Sequence, residues 1–317
     1  MRYLEYEGSV ERHGSLITKG IQTMVTRTAT KTVKPKPSAT PATAVKPVAA
    51  RKRVAKPRQP ALAKPLSRDQ LDAVFKLIKG SGSVELKLTV PLTSHRATVK
   101  SIGLDPVEAE PRQAFFFDTP DLALNKAGVV VRARRIQGGD GDTVIKLRPV
   151  DPAAIDPDLR RSAAFKVEVD VMPGGFVCSA SYKGVCKGRE VLDVSAGEMP
   201  LRKLFSKEQR AFYDAHAPAG ITMDKLVLLG PTFLLKAKHQ PKDFDRPIVV
   251  EVWFYPDGSR ILEVSTKCLP KEAFDFGGTF KAYLADRGIM FVADQSAKTK
   301  RSLEYYSALL KEEGMAG

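Results

Sequence analysis

Residues 116–135 read Phe116-Phe117-Asp118-Thr119-Pro120-Asp121-Leu122-Ala123-Leu124-Asn125-Lys126-Ala127-Gly128-Val129-Val130-Val131-Arg132-Ala133-Arg134-Arg135. The run that ends at Asp118 belongs to a strand predicted over 112–118, and the run after Gly128 to one over 128–136. Alternate residues of a strand point to the same face. Arg132 and Arg134 therefore share a face, with Val131 and Ala133 opposite. Two guanidiniums on one face and small apolar residues on the other make a strand that must be covered on one side only.

The same alternation recurs outward from this stretch. Further strands are predicted at 83–91, 142–149, 163–171, 222–229, 232–239, 247–255 and 259–268, with Asp257-Gly258 as a hairpin turn between the last two. Glu85 and Lys87 face away from Val84, Leu86 and Leu88. Lys146 and Arg148 face away from Ile145 and Leu147. Lys166, Glu168 and Asp170 oppose Val167, Val169 and Val171. Lys236 and Lys238 alternate with Leu235 and Ala237, and Glu263, Ser265 and Lys267 with Leu262, Val264 and Thr266. On any one strand this describes a half-buried antiparallel sheet with a solvated outer face. Its recurrence on at least six strands points instead to a closed or strongly curved antiparallel sheet with charged residues inside and helices outside, an α+β arrangement. A lumen lined with Arg, Lys and Glu suits a polyanion with its divalent cation, since Arg and Lys donate charge-assisted hydrogen bonds to phosphate and carboxylates hold hard metal ions.

The chain has 317 residues and a formal net charge of +15, but the charge is unevenly placed. Residues 26–66 hold eleven Lys/Arg, seven prolines, no Asp or Glu and no aromatic residue; without them 40 basic residues face 36 acidic ones. Such a segment buries too little apolar area to offset its ordering entropy and is expected to be a disordered linker. It is a candidate nonspecific tether to nucleic acid or an anionic surface. Residues 1–25 are uninformative, and the body is assigned to 67–317. It opens with a capping box, Ser67 with Gln70, Leu66 and Leu71 forming a staple, then Leu71, Val74, Phe75 and Ile78 at helical spacing up to Gly80. Other helices are predicted near 199–216, 270–287 and 297–313. No run of about 18 apolar residues exists, the N-terminus lacks the apolar core of a secretory signal, and Cys178, Cys186 and Cys268 form neither a disulfide framework nor a CxxC zinc site. The expectation is a cytoplasmic protein without a transmembrane segment.

Residues 116–135 resemble the FDTPDxxLxxxGxxLRxRR stretch of the CYTH superfamily, the triphosphate tunnel metalloenzymes. Ser83-Val84-Glu85-Leu86-Lys87 resembles its opening ExExK, Thr143-Val144-Ile145-Lys146 its TLK strand, Phe165-Lys166-Val167-Glu168 its following acidic strand, and Glu263-Val264-Ser265-Thr266-Lys267 a late acidic strand. The likeness spans about residues 83–305. It implies an antiparallel tunnel of about eight strands and the hydrolysis of inorganic or organic triphosphates, or cyclisation of ATP, with Mg²⁺ or Mn²⁺. Carried over by position, Lys87, Arg134 and Glu168 are the catalytic candidates. Arg132, Lys146, Arg148, Lys236, Lys238 and Lys267 would bind substrate, and Glu85, Glu251 and Glu263 would hold metal. Lys298, Lys300 and Arg301 lie where the family often places a basic residue near the tunnel mouth.

Two positions depart from the pattern: the first Glu of ExExK is Ser83, and the second acidic position of the late strand is Ser265. Hydroxyls are weak neutral ligands for a hard cation. Asp170 or Glu251 would have to compensate. The alternative to a triphosphatase is therefore a tunnel that binds triphosphate or polyphosphate without turning it over. Trp253, in phase with Glu251 and Tyr255, is either a core aromatic or a stacking platform. Tyr305 and Tyr306 are expected to pack a helix onto the barrel. Residues 172–192 read as a loop-rich hairpin or insertion, with Cys178 and Cys186 structural.

Overall fold

The computed structural model describes residues 67–292 and 298–314. The expectations for 1–25 and 26–66, and for Leu66 in the staple, lie outside the described residues. Nine strands close into one barrel: β1 (Ser83–Val90), β2 (Glu110–Asp118), β3 (Val129–Ile136), β4 (Gly141–Leu147), β5 (Phe165–Met172), β6 (Gly175–Cys186), β7 (Val227–His239), β8 (Ile248–Phe254) and β9 (Arg260–Cys268). Around the barrel they run β1-β5-β6-β4-β3-β2-β7-β8-β9 and back to β1. Every neighbour is antiparallel except β1 and β5, which pair in parallel with Glu85 opposite Asp170. The expected closed tunnel with outer helices is present, as a mixed sheet of nine strands rather than an antiparallel one of about eight.

Three local features differ from the expected pattern. Residues 172–192 are no insertion: Gly174, at φ +84°, turns β5 into β6, a full barrel strand. Its inward positions include the buried hydroxyls Ser179 and Ser181, and Lys183 is the only charge of that parity on the strand. Cys178 and Cys186 are buried thiols on it and form no disulfide. The expected strands 222–229 and 232–239 are one strand, β7, in which Gly230-Pro231 makes a register shift against β2 between Ala114 and Phe116. Finally, two helices were absent from the pattern, α2 (His95–Ile102) and α5 (Gly188–Ser195).

Of the remaining helices, α1 (Arg68–Lys79) starts at the expected capping box, Gln70 N to Ser67 Oγ at 3.2 Å and Ser67 N to Gln70 Oε1 at 2.9 Å. Only Val74 and Ile78 of its stripe are buried; Phe75 is exposed and stacks on Phe274, at a centroid separation of 4.2 Å. α3 (Ala123–Lys126) and α4 (Pro157–Arg160) are single turns, and α6 (Lys207–Asp214), α7 (Ala273–Asp286) and α8 (Lys298–Glu312) follow.

The apolar residues form two separate cores. The larger wraps the barrel's outside: Val84, Leu86, Phe115, Phe117, Ile145 and Val169 pack against Val74 of α1, Phe212 of α6 and Phe280 of α7. The smaller has the parity of the charged faces and so lies inside, at one end. It contains Ala114, Phe116, Leu229, Leu234, Trp253 and Ile261, closed by Leu303 of α8 with Tyr306 and Leu310 packed behind. Tyr306 Oη donates to Pro231 O and Ser307 Oγ to Pro120 O at 2.7 Å, fastening the helix over that end.

The 116–135 stretch is built around Asp118. Its buried carboxylate accepts N–H bonds from Thr119 at 2.7 Å, Leu124 at 2.8 Å and Asn125 at 2.9 Å, folding the turn of α3 onto the end of β2. Leu122 takes φ +63° at the start of that turn and drops its side chain into the inner core. Gly128, at φ +76°, leads into β3; a Cβ there would stand 2.7 Å from Arg148 O. Asp118→Ala would strand one buried and two part-buried donors and is expected to cost about 3 kcal/mol of unfolding free energy. Urea denaturation checks this, and a loss below about 1 kcal/mol would remove Asp118 from this role.

Candidate functional site

Closure of the sheet brings the alternating charged faces together. Between β1 and β5, Lys87 of β1 reaches Glu85 Oε2 at 3.2 Å and Asp170 Oδ1 at 3.1 Å. Asp170 of β5 also faces Lys146 Nζ of β4 at 3.9 Å and Arg148 Nη1, from the residue that follows β4, at 3.4 Å. One carboxylate, 1% exposed, thus answers three cations, yet its Oδ2 makes no hydrogen bond. Burial opposes its charge, but Lys87, Lys146 and Arg148 together hold the carboxyl below its usual range. Burial likewise opposes the Lys87 ammonium, which Glu85 and Asp170 nevertheless keep above its usual value. Lys146 is less well answered: burial, partly offset by Asp170, brings it down to about 8.

In the middle of the wall, Arg132 and Arg134 share Asp142, the latter through Nε at 2.9 Å and Nη2 at 2.8 Å, the former at 3.4 Å. Burial and the neighbouring Arg134 charge press the Arg132 guanidinium down to about 10, and its buried Nε has no partner. A guanidinium does not give up its proton at working pH. Its poorly answered charge and idle donor therefore make it receptive to an anion.

On the opposite wall, Glu251 of β8 and Glu263 of β9 are cross-strand partners. Lys298, the first residue of α8, places its Nζ 2.5 Å from Glu251 Oε2 and 2.7 Å from Glu263 Oε1. Trp253 Nε1 donates to the same Glu251 oxygen at 3.0 Å, and Lys236 stands 3.9 Å from the other. Burial opposes the Glu251 charge, but Lys298 and the Trp253 N–H keep the carboxyl far below its usual value.

At the other rim, Ser83, Lys166, Glu168, Lys183 and Lys267 line a pocket of about 510 Å³. Glu168 accepts from Ser83 Oγ at 3.1 Å and pairs with Lys267 and with Lys183 at 3.6 Å. Burial works against its charge, yet Lys267 and Lys183 bring it down to about 2. Lys267 also lies 3.6 Å from Glu85, and Lys238 is exposed near the same rim.

The predicted site residues thus share one lumen, with Lys238 at its edge. Their assignment was incomplete. Asp142 and Asp170 organise the cations, and Asp142 was missed although it has the parity of Lys146 and Arg148. Ser83 replaces a carboxylate by a hydroxyl that supports Glu168. Lys298 is not a mouth residue: it enters the plugged end, while Lys300 pairs with Glu304 at 3.7 Å and Arg301 with Asp257 at 3.2 Å outside. Trp253 is 3% exposed within the inner core, so its ring is a wall and not a free stacking platform. The carboxylates expected to hold Mg²⁺ or Mn²⁺ each carry an ammonium. Among the described residues, no three His, Cys, Asp or Glu converge in a metal-holding arrangement. The donor set present does not fit a resident divalent ion.

Asp170 is the internal anion shared by Lys87, Lys146 and Arg148. Removing it leaves buried cations unanswered, so Asp170→Asn is expected to lower unfolding free energy by about 3 kcal/mol. An added phosphate-type anion should restore part of that loss. Thermal melts with and without tripolyphosphate test this; a variant as stable as the parent would show that the cations do not depend on Asp170.

The arrangement has relatives among solved structures. The putative adenylyl cyclase HpAC1 from Hippeastrum, described as having a dominant triphosphatase activity, superposes with a TM-score of 0.51 at 14% identity, over 69% of this chain and 93% of that one. A putative adenylate cyclase from Bacillus halodurans gives 0.48 at 15% identity over 69% and 98%, and one from Vibrio parahaemolyticus 0.39 at 12% over 70% and 99%. No protein-family model and no curated protein matches the chain. The first of these likenesses carries the fold: the chain has the tunnel architecture that its resemblance to the CYTH superfamily implied.

Proposed function

We propose that the lumen binds a triphosphate, inorganic or attached to an organic group, through its phosphate oxygens. The observation that carries this reading is the convergence of Lys87, Arg132, Arg134, Lys146 and Arg148 on one enclosed space with only Asp142, Asp170 and Glu85 to answer them. Charge-assisted hydrogen bonds from guanidinium and ammonium groups are the strongest contacts a protein offers a phosphate. The ligand would displace the cations from Asp170 and Asp142 and would occupy the idle Arg132 Nε. The rim pocket lined by Lys166, Lys183 and Lys267 would be its way in.

Hydrolysis is the second reading. It is supported by the activity described for the Hippeastrum protein and by Glu168, an ionised carboxylate at the rim positioned by Ser83 and Lys267. At a pKa of about 2 that carboxylate is a feeble base, so its part would be to orient a water molecule. Phosphoryl transfer depends chiefly on positioning and on stabilising charge, which the cations would supply. Phosphate release from tripolyphosphate and from ATP, in EDTA, Mg²⁺ and Mn²⁺, separates the readings when run beside thermal-shift binding. Stabilisation without release supports a binding tunnel; release supports an enzyme, and Lys87→Ala and Arg134→Ala should then each lower the rate by about two to three orders of magnitude. Neither stabilisation nor release would end both readings.

Binding should also depend on pH. Lys146 holds phosphate only when protonated, and its value of about 8 in the free protein places the loss just above neutrality. Affinity should be full below about pH 8, then fall by up to about tenfold per pH unit as the proton is lost. Lys146→Arg, which stays charged, should flatten the profile. An unchanged slope in that variant would move the effect elsewhere. For residues 26–66, the tether reading predicts that a chain starting at Pro65 loses salt-sensitive nucleic-acid binding; equal binding by both chains would dismiss it.

A further inference from the structure

Lys298 occupies an unusual place for a lysine at the start of a helix. Its ammonium is enclosed, bonded to Glu251 at 2.5 Å and Glu263 at 2.7 Å, with the Trp253 ring centroid 5.3 Å away. The two carboxylates face each other across β8 and β9. Side by side and buried, they would repel unless a cation lay between them. The third expected metal carboxylate, Glu85, is taken by Lys87 at 3.2 Å and Lys267 at 3.6 Å. A divalent ion needs carboxylate oxygens at roughly 2.0–2.6 Å. It cannot share Glu251 Oε2 and Glu263 Oε1 with an ammonium already in contact with both.

The helix makes this placement durable. Ser302 Oγ donates to Lys298 O at 3.2 Å, and Thr232 Oγ1 of β7 donates to Ser302 Oγ at 3.1 Å. Tyr255 Oη donates to the same Lys298 carbonyl at 3.2 Å. Leu303, one turn on, is 2% exposed in the inner core. The backbone of Lys298 is thereby pinned to the barrel, and its side chain reaches the two glutamates beside the Trp253 ring.

We propose that Lys298 is a built-in replacement for a divalent cation: it bridges Glu251 and Glu263, offsetting one of their two charges while Lys236 stands 3.9 Å from Glu251, and lets the tunnel hold its anion without a metal. A tethered ammonium can do both of these things. It cannot lower the pKa of a bound water as a metal does. The part of the proposal that concerns the anion rests on the triphosphate reading above; the part that concerns metal exclusion does not.

The test uses the full chain and two independent readouts. Free Mn²⁺ is followed by its electron paramagnetic resonance signal during titration of the parent protein, Lys298→Met, Lys298→Arg and the double variant Lys298→Met with Glu251→Gln. Methionine keeps the unbranched side chain, one atom shorter, and removes the charge. The parent and Lys298→Arg should leave the Mn²⁺ signal nearly undiminished, Lys298→Met should bind Mn²⁺ at least about tenfold more tightly, and the double variant should lose that gain. Circular dichroism melts establish that each variant is folded. A parent protein that binds Mn²⁺ as tightly as Lys298→Met overturns the proposal, and needs no variant to fold. So does a folded Lys298→Met that gains no Mn²⁺ affinity. In the second readout, tripolyphosphate affinity of the parent is measured by calorimetry in EDTA and in Mg²⁺ and should agree within about twofold. Binding that requires Mg²⁺ overturns the replacement. If tripolyphosphate binds under neither condition while the Mn²⁺ results are as expected, metal exclusion by Lys298 stands and the triphosphate reading falls.

Discussion

A closed sheet that turns charged side chains inward must answer each charge with another, because the cost of burying an unpaired ion is several kcal/mol. That requirement shapes this protein more than any single motif. Asp170 answers Lys87, Lys146 and Arg148; Asp142 answers Arg132 and Arg134; Glu251 and Glu263 answer Lys298; Glu168 answers Lys267 and Lys183. The outer core can then be mostly apolar, and the helices serve to cover it. The balance is not even. Asp170 Oδ2 and Arg132 Nε are buried without a hydrogen bond, so the lattice is satisfied in charge but not in bonding. Buried polar atoms without partners are few in folded proteins, and here two of them lie among the same cluster of cations.

Strand alternation made the charged lumen legible because it is a local property: Arg132 with Arg134, and Lys146 with Arg148, declare their face within three residues. What alternation could not give was the partner across the barrel. Asp142 and Asp170 matter through cross-strand neighbours, and their weight depends on which strand lies beside which. The parallel pairing of β1 with β5, which sets Glu85 opposite Asp170, leaves no trace in either strand alone. β6 was illegible for a different reason. Its inward residues near the cations are Ser179 and Ser181, and it begins at a glycine pair, so its composition imitates a loop. Those small hydroxyls also keep the lumen open beside Glu168 and Lys166, their partners on β5. The same tolerance for small residues appears at Gly184 of β6, where a Cβ would meet Gln209 Oε1 and Thr143 Oγ1 at 2.6 Å. The amide of Gln209 bonds the carbonyls of Thr143 and Tyr182 at 3.3 and 3.2 Å, tying α6 to the barrel through that gap.

The two ends of the tunnel differ in kind. One is filled by Phe116, Leu229, Leu234, Trp253 and Ile261 and fastened by α8; the other carries exposed lysines around a pocket. From that pocket Lys267 leads through Glu85 to Lys87, and Lys87 through Asp170 to Lys146 and Arg148, while Arg132 and Arg134 share Asp142, so an anion bound as proposed would meet cations throughout. Each step offers cations already held in place by a carboxylate, so little side-chain entropy remains to be lost on binding. Charge pairs that stabilise the empty lumen therefore also preorganise it.

The same logic explains why Ser83 and Ser265 do not leave the lumen unbalanced. A carboxylate at Ser83 would stand against Glu168, and one at Ser265 would lie beside Glu85's neighbour Lys87, its register partner on β1. Each would add a negative charge to a wall where Glu85, Glu168, Glu251 and Glu263 already draw on Lys87, Lys183, Lys236, Lys267 and Lys298. With hydroxyls in those positions every glutamate of that wall is paired by lysines alone. The two serines and Lys298 are thus parts of one electrostatic solution: where a metal-binding wall would gather carboxylates around an ion of charge two, this wall has fewer carboxylates and a single tethered ammonium, and the α8 plug that carries it closes the end of the barrel at the same time.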